Sequence, residues 1–341
     1  MTAVAGAMLP IIPEVPMPAL TQPSLTARSY LDETDLQAIT DLINACEVVD
    51  QLDQGTSVEE LRRDFADPEF DLTRDIQLWV NGQGQLVGYG SLWLPPAEKT
   101  QDGFLGFKVR PDRRNQGIED QILAWAEDRL RETGQPGGLP LNLRAGAREH
   151  QVDRLSFLEA HGFSRVRYFY RMARSLATAI PTPQLPPGYR VQALPPSQVE
   201  AWVAMFNQTF IDHWNFHPLT VAQRQHWLTD PDYEPGLDLV ALDPKGTFAA
   251  FCLGFIYRQD NQRTGRQEGW IADLGTRRGF RQQGLGRAML LTGLQHLKAK
   301  GVDTALLGVD AENPSGALRL YESAGFRQLF TSIAYCKALS G

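Results

Sequence analysis

The chain has 341 residues, 43% hydrophobic and 21% charged, with a net charge of −7. That length exceeds one ordinary domain and predicts two, in a globular protein. The acidic balance argues against a nucleic-acid-binding surface. The three scattered cysteines, Cys46, Cys252 and Cys336, form neither a disulfide framework nor a zinc site, and no apolar run is long enough to span a bilayer.

Residues 1–24 are apolar but broken by Pro10, Pro13, Pro16, Pro18 and Pro23, with no basic residue before Arg28. A signal peptide needs a basic start and an unbroken apolar centre, so an extended or disordered arm and a cytoplasmic location are expected. Apolar spacing then predicts helices over 32–54 and 56–65, the second with Glu59 and Glu60 in its first turn. Strands over 76–80 and 86–94 are joined across Asn81, Gly82, Gln83 and Gly84, a hairpin signal. A strand over 104–109 enters an Arg- and Gln-rich turn and an amphipathic helix. A strand over 139–143 and a helix over 152–161, ending at Gly162 and Phe163, close the unit.

Pro181, Pro183, Pro186 and Pro187 mark a semi-rigid linker over 177–188. The same order then returns. Helices are expected over 196–214 and 221–228, and strands over 239–243 and 248–257. A strand over 271–276, a turn and a helix follow, then a strand over 305–309 and a last helix. The chain is therefore an internal duplication, 25–176 and 189–341, of about 150 residues per unit. Each unit reads helix, helix, hairpin, strand, helix, strand, helix. That order predicts α/β architecture with a mixed, mostly antiparallel sheet flanked by helices.

The chemistry concentrates after the strand over 271–276. The turn carries Arg281, Gln282, Gln283, Gly284, Leu285, Gly286 and Arg287, and the next helix has Ala288, Leu290, Leu291, Leu294 and Leu297 on one stripe. The first turn of a helix leaves N–H groups without intrahelical partners and carries partial positive charge. Two glycines leave room for a diphosphate to reach those groups, and two arginines add full charge. With the later Asn313, Ala317, Tyr321, Gly325 and Phe326, at N-x-x-x-A-x-x-x-Y-x-x-x-G-F spacing, the second unit resembles the GNAT superfamily of N-acetyltransferases.

The resemblance implies two tandem GNAT (acyl-CoA N-acyltransferase) domains and acetyl-CoA as co-substrate, its diphosphate cradled by Arg281, Gly284 and Gly286. It implies direct attack by a primary amine, with backbone groups of Leu274, Gly275 and Thr276 along the pantetheine arm. It also implies Tyr321 as the acid that protonates the departing thiolate, a role open to a phenol with an ordinary pKa of about 10. Asn313 either orients the pantetheine or caps the last helix. Glu268, just before the strand, ranks first as the base that takes the amine proton. Asp273, on the opposite face by parity, and His213 and His217 are the alternatives. The spacing of the two histidines could suit a metal, but Pro218 and the missing third ligand argue against one, so no metal is expected. Trp202, Phe206, Phe210, Trp214 and Phe216 form either an acceptor pocket or ordinary core.

The first unit departs from the pattern. Aligned on Gly162 and Gly325, Leu158 stands at the place of Tyr321 and His150 at that of Asn313. Aligned on Arg114 and Arg281, Glu119 replaces Gly286. A carboxylate there would repel a diphosphate by about 1 to 4 kcal/mol at roughly 4 Å. The first unit is thus expected to be a scaffold or acceptor-side wall. The expected partner is a small-molecule amine, with no nucleic acid or membrane, in a monomer or homodimer. The alternatives are a non-catalytic acetyl-CoA sensor and an enzyme acetylating an amino-thiol glycoside.

Overall fold

The computed structural model describes residues 25–68, 70–97, 99–134, 138–313 and 315–340, so the arm expected over 1–24 lies outside the described residues. The first half runs β1 (Thr26–Ser29), α1 (Glu33–Asp50), α2 (Val58–Phe65), α3 (Leu72–Asp75), β2 (Ile76–Val80), β3 (Leu86–Trp93), β4 (Gln101–Val109), α4 (Ile118–Gly134), β5 (Leu141–Arg148), α5 (Val152–Ala160) and β6 (Ser164–Ser175). The second runs β7 (Arg190–Ala193), α6 (Val199–Phe210), α7 (Val221–Trp227), β8 (Asp238–Leu242), β9 (Phe248–Phe255), α8 (Arg258–Thr264), β10 (Glu268–Thr276), α9 (Leu285–Ala299), β11 (Thr304–Asp310), α10 (Ala317–Ser323) and β12 (Arg327–Leu339).

All of these strands join one sheet, in the order β1-β2-β3-β4-β5-β12-β6-β11-β10-β9-β8-β7. Neighbours are antiparallel except β4 with β5 and β10 with β11. This is the mixed, mostly antiparallel α/β architecture expected. The order of elements differs at the end of each half, which closes on a strand rather than a helix. The strand β6 lies between β12 and β11, and β12 lies between β5 and β6. Each half therefore hydrogen-bonds its last strand into the other. The sequence hides β6 because Arg165, Arg167, Arg171 and Arg174 sit among its tyrosines and phenylalanine, leaving no period-two apolar pattern.

Smaller differences have local causes. The helix expected over 196–214 is a 3-10 turn at Pro196–Gln198 followed by α6, which stops at Phe210. The strand β4 begins at Gln101, before its apolar run, and β5 continues to Arg148. The helix α8 has no counterpart in the first half. The expected start of α2 is fixed by a capping box, in which Ser57 accepts from the Glu60 N–H and Glu60 accepts from the Ser57 N–H at 2.7 Å.

The helices cover both faces of the sheet. On one face α9 packs Leu290, Leu291, Leu294 and Leu297 against Cys252 and Ile271, all buried. Each such leucine contributes about 1.5–3 kcal/mol, and truncating Leu294 would cost about 2–5 kcal/mol. On the other face α6 and α7 pack Trp202, Val203 and Trp227 over β8 and β9. The halves also meet outside the sheet. His217 lies between the rings of Trp93 and Phe104, 3.5 Å from Asp102, and Asp53 pairs with Arg266 at 2.9 Å.

Candidate active site

The two parallel strand pairs separate soon after they begin. The strands β10 and β11 pair only over Glu268, Gly269 and Trp270 against Thr304, Ala305 and Leu306. Beyond that point β10 stays with β9, and β11 stays with β6. A V-shaped cleft opens, with backbone of Leu274, Gly275 and Thr276 along one arm and the first turn of α9 beyond its end.

The register of β10 on β9 shifts between Ile271 and Asp273, a β-bulge that leaves Ala272 exposed. Its effect on direction is large. Ile271 and Leu274 both pack in the core beneath α9, while Trp270 packs in the core beneath α6. A Cβ at Gly275 would lie 2.4 Å from Thr209 of α6, so that glycine lets α6 sit directly on the strand. Asp273 thereby shares the α6 face with Trp270 and Gly275. Simple parity placed it opposite Glu268; the extra residue cancels that expectation.

The two carboxylates stand at different ends. Glu268 is in the paired segment, 3.9 Å from Arg266, about 15 Å along the strand from Asp273. Burial raises its pKa. Asp273 stands where the cleft opens, and burial raises its pKa to about 6, with Arg224 opposing and Asp238 reinforcing the rise. Arg224 is fully buried, paired with Asp238 and stacked 3.9 Å over Trp202. It is a fixed cation beneath the strand.

Tyr321 lies on α10, 7% exposed, edge-on to Phe326 at 6.1 Å. Its hydroxyl has no hydrogen-bond partner among the described residues. Burial, with Cys252 and Asp273 adding negative potential, pushes its pKa up, so the phenol stays protonated. Asn313 does two things. Its carbonyl oxygen accepts from the Ser315 N–H at 2.8 Å, shaping the approach to α10, and its amide lies 3.2 Å from Nε2 of His213. Burial lowers the pKa of His213, which matches a neutral ring accepting from that amide. His217 is turned into the first half instead, so the two histidines do not converge. No cluster among the described residues could hold a metal.

The turn before α9 is built by backbone sign. Gln282 (φ 64) and Gly284 (φ 84) are left-handed, and Gly284 caps α9 without a side-chain bond. The first N–H groups of the helix therefore face outward without a capping acceptor. A Cβ at Gly286 would meet Thr276 Oγ1 at 3.5 Å, an ordinary contact, so the open space there lies beyond it. Arg287 reaches Ser323 at 2.8 Å, and Gln283 accepts from Tyr189 at 3.1 Å. Arg281 behaves differently from its expected place beside a diphosphate. It donates to the Thr276 and Thr209 carbonyls at 3.1 and 2.9 Å and lies 3.3 Å from Asp212. It braces the turn against the end of α6.

The first half has the same turn. Asn115 (φ 59) and Gly117 (φ 84) repeat the two left-handed positions, and Arg114 repeats the brace through Val109 and Asp50. Its cleft is filled from within. Glu119 folds back to accept from the Asn115 N–H at 3.2 Å. Arg154 of α5, at the place of Ala317, donates to the Gly146 carbonyl on β5 at 2.8 Å and to the Phe107 carbonyl on β4 at 3.4 Å. Its guanidinium stacks 4.0 Å over the Phe107 ring. Phe107 is the counterpart of Leu274, so one side chain occupies the backbone that the second half leaves open. Sequence reasoning missed Arg154; the signal was an arginine at the motif's alanine position.

Comparison with known proteins places the chain in a family. A model of the acetyltransferase (GNAT) family matches residues 199–326. Mycothiol acetyltransferase of Thermobispora bispora is 31% identical over 264 residues, 74% of this chain and 80% of that protein. Mycothiol acetyltransferase of Salinispora arenicola is 29% identical, spanning 92% of this chain and 98% of its own. A crystal structure of a GCN5-related N-acetyltransferase from Sphaerobacter thermophilus superposes with a TM-score of 0.72 at 25% identity, covering 92% of this chain and 95% of that one. A tandem GNAT protein from the clavulanic acid biosynthesis pathway has the same fold, with a TM-score of 0.68 at 16% identity, over 93% and 99%. The chain belongs to the GNAT family of acetyltransferases.

Proposed function

We propose that the protein transfers acetyl from acetyl-CoA to a primary amine of a small molecule by direct attack, in the cleft between β10 and β11. The observation that carries this reading is the contrast between two clefts on one plan. The second is lined by free backbone and glycines, while Arg154 and Glu119 fill the first. The residues present fit the co-substrate. The uncapped start of α9 suits a diphosphate, Leu274 to Thr276 offer backbone to a pantetheine arm, and Gly286 leaves the space between them clear.

Acetyl-CoA supplies an activated thioester. Asp273 accepts the amine proton, directly or through water; its raised pKa of about 6 makes it a carboxylate of useful basicity at neutral pH. Glu268 would need a relay from the closed end of the cleft. Tyr321 donates its proton to the departing sulfur, and a hydroxyl with no partner among the described residues is free for that step. A backbone N–H beside the bulge polarises the carbonyl. Asn313 positions His213 and the start of α10. The unengaged Tyr321 hydroxyl also argues against a pure sensor. A second reading, acetylation of an amino-thiol glycoside, draws on the relatives named mycothiol acetyltransferase and matched over 80% and 98% of their length.

Calorimetric titration of acetyl-CoA into the wild type and into Gly286→Glu tests the assignment. The Cβ fits at 3.5 Å, so the variant should fold, and its carboxylate enters the cradle. One site per chain, lost in the variant, is expected. Two sites, one surviving, would overturn the assignment of the cleft. A screen of primary amines with Tyr321→Phe as control then tests the transfer.

A further inference from the structure

Four strands from both halves form the centre of the sheet, and on the α6 face their floor is nearly bare. Gly146 on β5 and Gly308 on β11 are exposed there, with Ala334 on β12 opposite Gly146. Four arginines rise around this floor. Two are neutralised: Arg144 by Asp102 at 2.9 Å, and Arg167 by Asp310 and Glu312 at 2.9 and 2.7 Å. Two are not. Arg171 makes no hydrogen bond or ion pair to any described residue. The Arg148 side chain makes one hydrogen bond, to the Leu52 carbonyl, and no ion pair among the described residues.

Both free arginines are held flat by aromatic rings. The guanidinium of Arg171 lies 4.0 Å over Trp270 and 5.9 Å from Phe330, and that of Arg148 lies 3.8 Å over Phe330. Stacking fixes the planes and leaves the N–H edges free, the geometry that takes a carboxylate or phosphate in paired bonds. Burial lowers both pKa values; for Arg171, with repulsion from Arg148 added, it falls to about 10, while Asp53 and Glu47 oppose the fall at Arg148. Glu268 on the same face attracts Arg171 but makes no ion pair with either arginine, standing 3.9 Å from Arg266. Two half-buried like charges are a standing cost that an anion between them would relieve.

The place of the pair gives it meaning. Trp270 is at the apex of the catalytic cleft, three residues before Asp273 and on the same face. An anion held by Arg171 would lie about 7–10 Å along the strand from the base. We propose that Arg171 and Arg148 form an acceptor subsite for an anionic group, so that the amine acetylated by this protein carries a carboxylate or phosphate at its far end. This rests on the reading of the second cleft as the acetyl-transfer site. Both arginines come from the first half, and both rings beneath them come from the second.

The test has two independent arms. Binding is read as the rise in Tm caused by inorganic phosphate at constant ionic strength, in a Gly286→Glu background that blocks the α9 cradle. A rise of several degrees is expected, lost in Arg171→Gln and reduced in Arg171→Lys. Transfer is read in the wild-type background with matched acceptors: 6-aminohexanoate against hexylamine, and 3-aminopropyl phosphate against 3-aminopropanol. At least a tenfold preference in kcat/KM for one anionic member is expected, collapsing through KM in Arg171→Gln, and the preferred pair distinguishes carboxylate from phosphate. An equal phosphate shift with and without Arg171, or none at all, overturns the subsite. Absence of transfer to every amine, with the Arg171-dependent shift intact, overturns the acetyl-transfer reading and leaves the anion site standing.

Discussion

Arg154 and Ala317 occupy equivalent positions on α5 and α10, and only the arginine reaches across the cleft in front of it. Its bonds to Gly146 and Phe107 close in the first half the slot that stays open in the second. Glu119 covers the turn beyond. Removing both blocks in one variant, Arg154→Ala with Glu119→Gly, should raise the acetyl-CoA stoichiometry from one to two per chain by calorimetry. It should add no turnover, because Leu158 has no proton to give in the role proposed for Tyr321.

Tyr321→Phe should lower kcat about a hundredfold. It breaks no hydrogen bond to a described residue, so stability should fall by under about 1 kcal/mol and acetyl-CoA affinity should hold. Steady-state rates, with a melting curve as control, decide it. A large fall in Tm would show that the phenol is structural.

Asp273 makes a paired prediction about pH. Its folded pKa, about 6, is above the ordinary carboxylate value near 3.9. The folded state therefore holds the proton more tightly between those values, and stability from this group is lost as pH rises through about 6. Asp273→Asn should raise Tm at pH 8 and change it little at pH 4. In the wild type kcat/KM should fall as pH drops below about 6, and Asp273→Asn should lower activity strongly and remove that limb from what remains. An unchanged limb in the variant would move the base elsewhere, Glu268 being the next to test.

The exchanged strands predict how the halves part. A protease site placed in the linker over 177–188 should be cut without separating the pieces, since β6 pairs along Thr304 to Asp310 and β12 along Leu141 to Arg148. Size-exclusion chromatography of the nicked protein should show one particle that keeps acetyl-CoA binding. Residues 189–341 expressed alone should be insoluble, because β11 would expose an unpaired edge.

Much of this was legible in the sequence. The order of most elements, the glycine-bearing turn before α9, and the contrasts of Tyr321 with Leu158 and of Gly286 with Glu119 follow from residue types and their spacing. What stayed hidden depends on distance or on one-residue shifts. The direction of Asp273 turns on a bulge at Ala272, which no periodicity reveals. Arg281 braces Thr209, 72 positions away in the chain, so its charge looked free for a ligand. Arg154 resembles any exposed arginine on a short helix until β4 and β5 are seen on either side of it. The strands β6 and β12 pair mainly with the opposite half, so neither half announces its own last element.

That exchange bears on inheritance. After a gene duplication, a copy that loses its chemistry is ordinarily free to decay or be deleted. Here the first half supplies a strand to the second half's part of the sheet, and the second half returns one. Loss of either half would strip the other of a paired strand, so the exchange ties the two halves to one fate.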